Sequence, residues 1–359
     1  MLIARAPVRI SFFGGGTDLP AYYEQAGGCV LSTSIDKYVY VVLNTSDHGN
    51  LQITSSDYRS FYRHPIGEAL MWDGDLSLPR AVLQHYGVEH SVSMFLASEA
   101  PPGTGLGSSS SVTVALIKAI SAACGRHLSK MEVAELASYI EIKKLGKPIG
   151  KQDQYASAFG GLNWIDFRKD GVVVTPLNLP SQTVHRLESN LLLMFTGATH
   201  DSAEILKHQT NSSKEKAPIV MEALDAAKDL AFQARELLLR GELDQFGAML
   251  GAAWRYKRKF APGVTTPHID HCYEVARNNG ALGGKIAGAG GGGFLLLYCE
   301  QESIGRVERA LETEGLRRLG FHMENDGGRV LFNAGLRLEQ NRYSEGIGSA
   351  VMPQTHAAA

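Results

Sequence analysis

The chain has 359 residues, 44% of them hydrophobic and 20% charged, with a formal net charge of -2 at pH 7. That length exceeds a comfortable single core and favours two domains with room for a cleft between them. The composition excludes a disordered chain and a protein that coats nucleic acid by bulk charge, and no apolar run approaches membrane-spanning length, so an anionic ligand has to be gripped locally.

Met1 leads at once into strand-like sequence, without the basic, apolar and small-residue succession of a signal peptide. The four cysteines, Cys29, Cys124, Cys272 and Cys299, are far apart and form no CxxC pair. Free thiols in a reducing, cytoplasmic compartment are expected.

In the first segment, Arg9 lies in an extended run that ends in the turn Gly14-Gly15-Gly16-Thr17-Asp18. Both charged side chains can face one cleft; alternatively Arg9 is a surface strand residue and Asp18 caps the helix that contains Tyr22. Strands are expected over 39–43 and 91–97 and helices over 109–124 and 131–145, an α+β pattern.

Between the second strand and the first long helix comes Pro101-Pro102-Gly103-Thr104-Gly105-Leu106-Gly107-Ser108-Ser109-Ser110-Ser111, followed by Val112, Leu116 and Ile120 at four-residue spacing. Glycines let backbone amides approach a phosphate and adopt positive φ, and the first turn of a helix offers unpaired N–H groups. Gly103, Gly105, Leu106, Gly107, Ser108, Ser109 and Ser110 are therefore the expected phosphate cradle. A Ser-capped helix after a flexible turn is the plain alternative. No Lys follows the last glycine, so this is not a Walker loop. A helix terminus stabilises an anion by only about 0.3–2 kcal/mol, which implies a divalent metal, Mg²⁺, beside a triphosphate.

The segment Gly150-Lys151-Gln152-Asp153-Gln154 reads as a loop shaped by Pro148 and Gly150, where an Asp by itself is a turn or cap residue. Strands over 162–167 and 172–176 flank Lys169-Asp170-Gly171 as a hairpin. A first domain is placed at 1–180.

A second domain, 181–340, has strands over 191–196, near Lys285, and over 294–299 and 329–333, and helices over 203–209, 216–240, 243–259, 267–279 and 303–315. This reads as a ferredoxin-like second layer. Gly288-Ala289-Gly290-Gly291-Gly292-Gly293 is either a tight hairpin turn or a place where a ligand needs bare backbone, and the first loop favours closure over a nucleotide. The basic run at Arg255, Lys257, Arg258 and Lys259 is either a solvated helix face or a phosphate site. Residues 341–359 lose periodicity and read as a tail.

Residues 6–18, 101–111 and 284–293 resemble, in order, the three glycine-containing motifs of the GHMP kinase superfamily, named for galactokinase, homoserine kinase, mevalonate kinase and phosphomevalonate kinase. The resemblance implies an α+β two-domain fold, with a ribosomal protein S5 domain 2-like N-terminal domain and a ferredoxin-like C-terminal domain, and an ATP- and Mg²⁺-dependent kinase. It makes Asp153 the acid facing the attacking hydroxyl and Arg9 its charged partner. Asp18 matches a residue that bonds sugar hydroxyls, with Gly15, Gly16 and Thr17 beside it. Ser109, or Ser108 in its place, and Glu141 match metal-side positions of mevalonate kinase.

Residues 150–154 are similar to the galactokinase loop, yet galactokinases carry Glu-His where this chain has Gly15-Gly16. The glycine-rich opening, Trp254, Lys257-Arg258 and Gly280-Ala281-Leu282-Gly283-Gly284-Lys285 together look like the D-glycero-D-manno-heptose 7-phosphate kinases of bacterial surface-polysaccharide pathways, with fucokinases as the nearest rival. That resemblance implies phosphorylation of the anomeric hydroxyl, giving heptose 1,7-bisphosphate. Lys257 and Arg258 are expected to hold the substrate's own phosphate. Thr196 and Gly197, with residues 198–201, and Gly290 and Gly291 are expected walls of the sugar pocket. The expected partners are ATP and a sugar phosphate, with neither nucleic acid nor membrane, and a homodimer is compatible with the sequence.

Overall fold

In the computed structural model, which describes residues 1–339 apart from 47–48, 58, 67, 69, 72–75, 89 and 198–201, the chain forms two sheets with helices packed on each. The first half contributes β1 (Leu2–Phe13), α1 (Pro20–Ala26), β2 (Gly28–Thr45), β3 (Asn50–Ser55), β4 (Ser60–Pro65), α2 (Ser77–His85), β5 (Val92–Ser98), α3 (Ser108–Ala123), α4 (Lys130–Ser138), a π-helical turn (Tyr139–Lys144), α5 (Gln152–Phe159), β6 (Leu162–Arg168) and β7 (Gly171–Pro176). The second half contributes α6 (Ser181–Asn190), β8 (Leu191–Phe195), α7 (Ser202–Lys214), α8 (Pro218–Arg240), α9 (Leu243–Lys257), α10 (Pro267–Asn278), β9 (Ala281–Ile286), β10 (Phe294–Cys299), α11 (Gln301–Thr313), β11 (Arg317–Arg318) and β12 (Arg329–Asn333).

The first sheet runs β12-β1-β2-β5-β3-β4, with β6 and β7 attached to the other half of the long β2; the second runs β11-β8-β10-β9 and is antiparallel. The 329–333 strand, expected to follow the second layer, returns instead to pair with β1. The expected α+β fold with two domains is what the chain adopts. Residues 341–359, read as a tail, lie outside the described residues. Among the described residues no helix is long and apolar enough to cross a membrane. All four cysteines are free, and Cys29, Cys272 and Cys299 are buried.

β1 carries the site because it passes from one core to the other. Leu2, Ala4 and Ala6 pack with α3 and α4, whereas Val8, Ile10, Phe12 and Phe13 pack against α8, α9 and the second sheet. The change coincides with a bulge between Pro7 and Val8 in its pairing with β2, a device that re-aims side chains. Arg9 follows directly, on the side of the strand opposite its apolar neighbours Val8 and Ile10.

The joint between layers is aromatic: Phe246 of α9 meets Phe12 and Phe13 edge-on, at 5.5 and 5.2 Å between ring centres. Each such ring buried contributes roughly 1.5–3 kcal/mol. α9 also lies against β9 through glycines: a Cβ on Gly251 would come 3.7 Å from the Gly283 Cα, and one on Gly283 would overlap the Gly247 carbonyl. That close approach brings Lys257, at the end of α9, onto the loop that follows β9.

Candidate active site

The cleft between the layers has a volume of about 400 Å³ and is lined from β1, the 14–19 turn, the 103–110 loop, the 147–153 segment, α7, the end of α9 and the 285–289 segment. Gly103, Gly105 and Gly107 have φ of 72°, 84° and 77°, a left-handed alternation of the kind found in backbone anion nests. Gly107 is the N-cap of α3 and no side chain caps this helix, so the Ser-capped alternative does not apply. The first-turn N–H groups at Ser108, Ser109 and Ser110 are left for a ligand. Leu106 is buried in the joint, and its carbonyl accepts from the Arg9 N–H at 2.9 Å.

The two glycine loops touch. A Cβ on Gly105 would lie 2.5 Å from the Ala287 carbonyl oxygen, a Cβ on Gly288 would overlap the Gly105 Cα, and Phe294 N–H donates to Thr104 O at 3.2 Å. Gly288 and Ala289 line the cleft. Gly290 and Gly291, expected in the sugar pocket, instead pack on Val264: Gly291 N–H donates to its carbonyl at 2.8 Å, and a Cβ on Gly290 would lie 2.6 Å from the same oxygen.

Asp153 is not in a loop, as its surroundings suggested. Gln152–Phe159 is a helix with Asp153 in its first turn, where a negative charge complements the helix dipole. Arg9 reaches across from β1: Nε and Nη2 lie 2.7 and 2.6 Å from Asp153 Oδ1, and Nη1 donates to the Gly105 carbonyl at 2.6 Å. One guanidinium thus ties the acid to the phosphate cradle. Asp153 Oδ2 faces Gly107, where a Cβ would come within 3.1 Å of it.

Asp18 does not cap α1. Its Oδ1 accepts from Gly16 N–H at 2.9 Å and Gln152 Nε2 at 3.0 Å, and its Oδ2 from Gln152 N–H at 3.1 Å. Burial pushes its carboxyl up, against the pull of the Gln152 N–H and with a smaller push from Asp153. Gly150 is needed for this approach, since a Cβ there would overlap the Asp18 carboxylate.

Glu141 sits in the π-helical turn that replaces the end of the expected 131–145 helix, a local widening common at functional sites. It is fully buried; Gln154 Nε2 donates to Oε1 at 3.3 Å, while Lys147 Nζ lies 3.5 Å from Oε2 and 2.9 Å from Ser109 Oγ. An ammonium therefore bridges the hydroxyl and the carboxylate.

Lys257 lines the cleft, but its Nζ donates to the Ile286 and Gly288 carbonyls, both at 2.6 Å. Arg258 does not line it; it points away to Asp270 at 3.0 Å. Sequence reasoning missed the cleft cations Lys147 and Lys285. The available signal for Lys285 was a lysine inside an apolar strand just before a glycine run. Its Nζ donates to Phe12 O at 2.6 Å, and burial, with repulsion from Arg9, pulls its pKa down to about 7. Burial, then Lys285 and Arg9, lower Lys257 well below the ordinary lysine value.

Thr17 is sealed beneath the turn, its hydroxyl bonding to the Gly14 and Cys29 carbonyls. Thr196 bonds to Gly293 O at 2.9 Å, and neither it nor the exposed Gly197 lines the cleft. Residues 198–201 lie outside the described residues.

Lys285 gives a signed pH dependence. Its folded value of about 7 lies below its unfolded value near 10.5. Above 10.5 the contribution to stability is complete; as pH falls toward 7 the unfolded chain takes up the proton first and stability declines, by up to about 1.4 kcal/mol per pH unit. The urea midpoint of the ligand-free protein should rise from pH 7 to 9, and Lys285→Met should flatten that rise. An equal slope in the variant would show that Lys285 is not the source.

The profile described as GHMP kinases N terminal domain matches residues 77–161, and that described as GHMP kinases C terminal matches residues 234–317. The chain is 31% identical over 316 residues to a D-glycero-alpha-D-manno-heptose 7-phosphate kinase of Campylobacter jejuni, covering 86% of this chain and 93% of that one. It is 26% identical over 341 residues to an L-fucokinase/L-fucose-1-P guanylyltransferase of Bacteroides fragilis, covering 86% of this chain but 36% of that protein. A crystal structure of a D-glycero-D-manno-heptose 1-phosphate kinase from Bacteroides thetaiotaomicron superposes with a TM-score of 0.78 at 30% identity, covering 93% of this chain and 99% of that one.

Proposed function

Since the chain belongs to the GHMP kinases and is an ATP-dependent phosphotransferase, we propose that its acceptor is the anomeric hydroxyl of D-glycero-D-manno-heptose 7-phosphate, giving the 1,7-bisphosphate for bacterial surface-polysaccharide precursors. The observation that carries the catalytic reading is the Arg9–Asp153 pair, bonded at 2.6–2.7 Å and tied by Arg9 to the Gly105 carbonyl of the phosphate cradle. A non-catalytic sugar sensor would have no use for that pair.

Phosphoryl transfer passes through a loose transition state, so positioning and charge stabilisation matter more than base strength. Asp153 Oδ1 is committed to Arg9, which leaves Oδ2 to hold the acceptor hydroxyl. An aspartate is too weak a base to take a sugar proton in advance. The proton passes to Oδ2 late, as the new O–P bond forms and the bond to the departing ADP breaks. Arg9 holds the carboxylate in place and offsets charge on the moving phosphoryl group.

Ser109 and Glu141 offer a hydroxyl and a buried carboxylate to one cation, the Lys147 ammonium, and this all-oxygen pair fits a hard divalent ion such as Mg²⁺. Those two residues would hold it, and when bound it neutralises charge on the nucleotide phosphates. The cleft is lined by Arg9, Lys147, Lys257 and Lys285 against Asp18, Glu141 and Asp153. Among the described residues Lys257 and Lys285 have no carboxylate partner, so they are the lysines left for phosphate oxygens, whose charge would draw them back to the protonated form. They support a substrate that brings a phosphate of its own, with Lys285 in the place expected of Arg258.

The test is a panel of heptose 7-phosphate, mannose, fucose and galactose with ATP and Mg²⁺, the product's phosphorylated position being read by NMR. The expected result is a kcat/KM for heptose 7-phosphate higher by on the order of 100-fold, because only a substrate phosphate supplies the anion that draws the two buried lysines back to their charged form and pairs them. Preference for an unphosphorylated hexose, fucose above all, would overturn the substrate and leave the kinase assignment intact.

A further inference from the structure

Beside Gly15 and Gly16, three buried side-chain atoms have no hydrogen-bond partner among the described residues: Ser11 Oγ, Gln152 Oε1 and Gln209 Nε2. All three residues line the cleft, and they come from β1, α5 and α7. Ser11 is 6% and Gln209 4% exposed, so bulk water does not serve as the missing partner. An unpaired buried polar atom costs about 1–3 kcal/mol. Three converging on one corner mark a place built for a ligand that bonds them.

The orientation of Gln152 follows from its neighbours. Its backbone N–H and its Nε2 both point at the Asp18 carboxylate, which accepts and does not donate, so the amide nitrogen has to lie on that side and Oε1 on the other. The Gln152 amide lies edge-on to Gly15, where a Cβ would sit 3.4 Å from Ser11 Oγ, 3.5 Å from Gln152 Nε2 and 3.8 Å from Gln152 Oε1; Asp18 engages the nitrogen, which leaves Oε1 as the acceptor without a partner. Gln209 supplies the complement, a donor. A Cβ on Gly16 would come 2.6 Å from Gln209 Nε2 and 3.0 Å from the Phe260 ring, so bare backbone at Gly16 is what lets Gln209 lie against the turn at the edge of the cleft. Leu206 and Phe260 give it an apolar wall.

Acceptor, donor and hydroxyl set against an apolar wall match the chemistry of a hydroxylated carbon chain. We propose that this corner is the subsite that reads the acceptor hydroxyls remote from the one phosphorylated, and that Gln209 is a specificity-determining residue within it. The assignment rests on the sugar-kinase reading and deepens it. A sugar lacking the matching hydroxyl leaves the donor buried and unpaired, the arrangement that discriminates most strongly between analogues.

The experiment compares wild type with Gln209→Leu, which removes the donor at similar volume, and Gln209→Glu, which keeps the shape and reverses the donor to an acceptor. KM for the acceptor and for ATP are measured separately with whichever panel sugar wild type phosphorylates best, together with the melting temperature of the ligand-free proteins. Both variants are expected to raise the acceptor KM by about tenfold or more, with ATP KM within about twofold, and Gln209→Leu is expected to melt no lower than wild type, because an unpaired buried donor has been removed. Acceptor KM unchanged in both variants, in protein that melts normally, overturns the subsite while the kinase stands. Equal rises in the two KM values also overturn it, since they show a general distortion. Wild-type protein that neither phosphorylates nor binds any of the four sugars overturns the sugar reading and the subsite together.

Discussion

Asp153→Asn is expected to lower kcat by roughly 10²–10⁴-fold while leaving the affinity for a non-hydrolysable ATP analogue within about twofold of wild type. The substitution keeps the shape of the side chain. Its remaining oxygen can still accept from Arg9, whose Nε and Nη2 lie 2.7 and 2.6 Å from Oδ1, so the amide nitrogen is turned toward Gly107 and the acceptor. There it presents a donor where the transfer needs an acceptor for the departing proton. The phosphate cradle is built from the backbone of residues 103–110, apart from the carboxylate, and should bind as before. A kcat within about threefold of wild type would remove Asp153 from the chemistry and with it the reading of the Arg9 pair. A melting curve controls for the charge left on Arg9, which is 3% exposed.

The parts of this site that were legible in the sequence are those made by consecutive residues. A run such as Gly103-Thr104-Gly105-Leu106-Gly107 declares its own backbone geometry, because little but glycine tolerates φ near 70–85° at alternate positions. What could not be read depends on which distant segment lies opposite. Lys257 and Arg258 look like one basic pair, but neighbours on a helix point about 100° apart. One meets the carbonyls of 286 and 288 and the other meets Asp270. Gln209 is an unremarkable polar residue in a mixed helix until Gly16 is found against it. α5 was missed because its eight residues are too short for a periodic signal and follow a Pro and a Gly. β12 was assigned correctly as a strand, yet nothing local says that it closes onto β1 rather than onto its sequence neighbours.

Arg9 should be nearly as sensitive as Asp153, and for a reason that separates geometry from charge. Its guanidinium makes three contacts in one plane, two with Asp153 Oδ1 and one with the Gly105 carbonyl, an arrangement that a lysine ammonium cannot reproduce. Arg9→Lys is therefore expected to lose on the order of 10²-fold in kcat despite keeping the charge, and Arg9→Met to lose more. Recovery of activity to near wild type in Arg9→Lys would mean that a positive charge suffices and that the clamp on Asp153 is incidental. Arg9→Met carries a second signature that needs no turnover. Arg9 is one of the causes that depress Lys285, so removing it should raise the folded Lys285 pKa above about 7. The pH-dependent gain in stability then begins at higher pH in Arg9→Met than in wild type, and urea midpoints between pH 7 and 9 would show a delayed rise. A profile superimposable on wild type would mean that the two cations do not sense each other across the cleft.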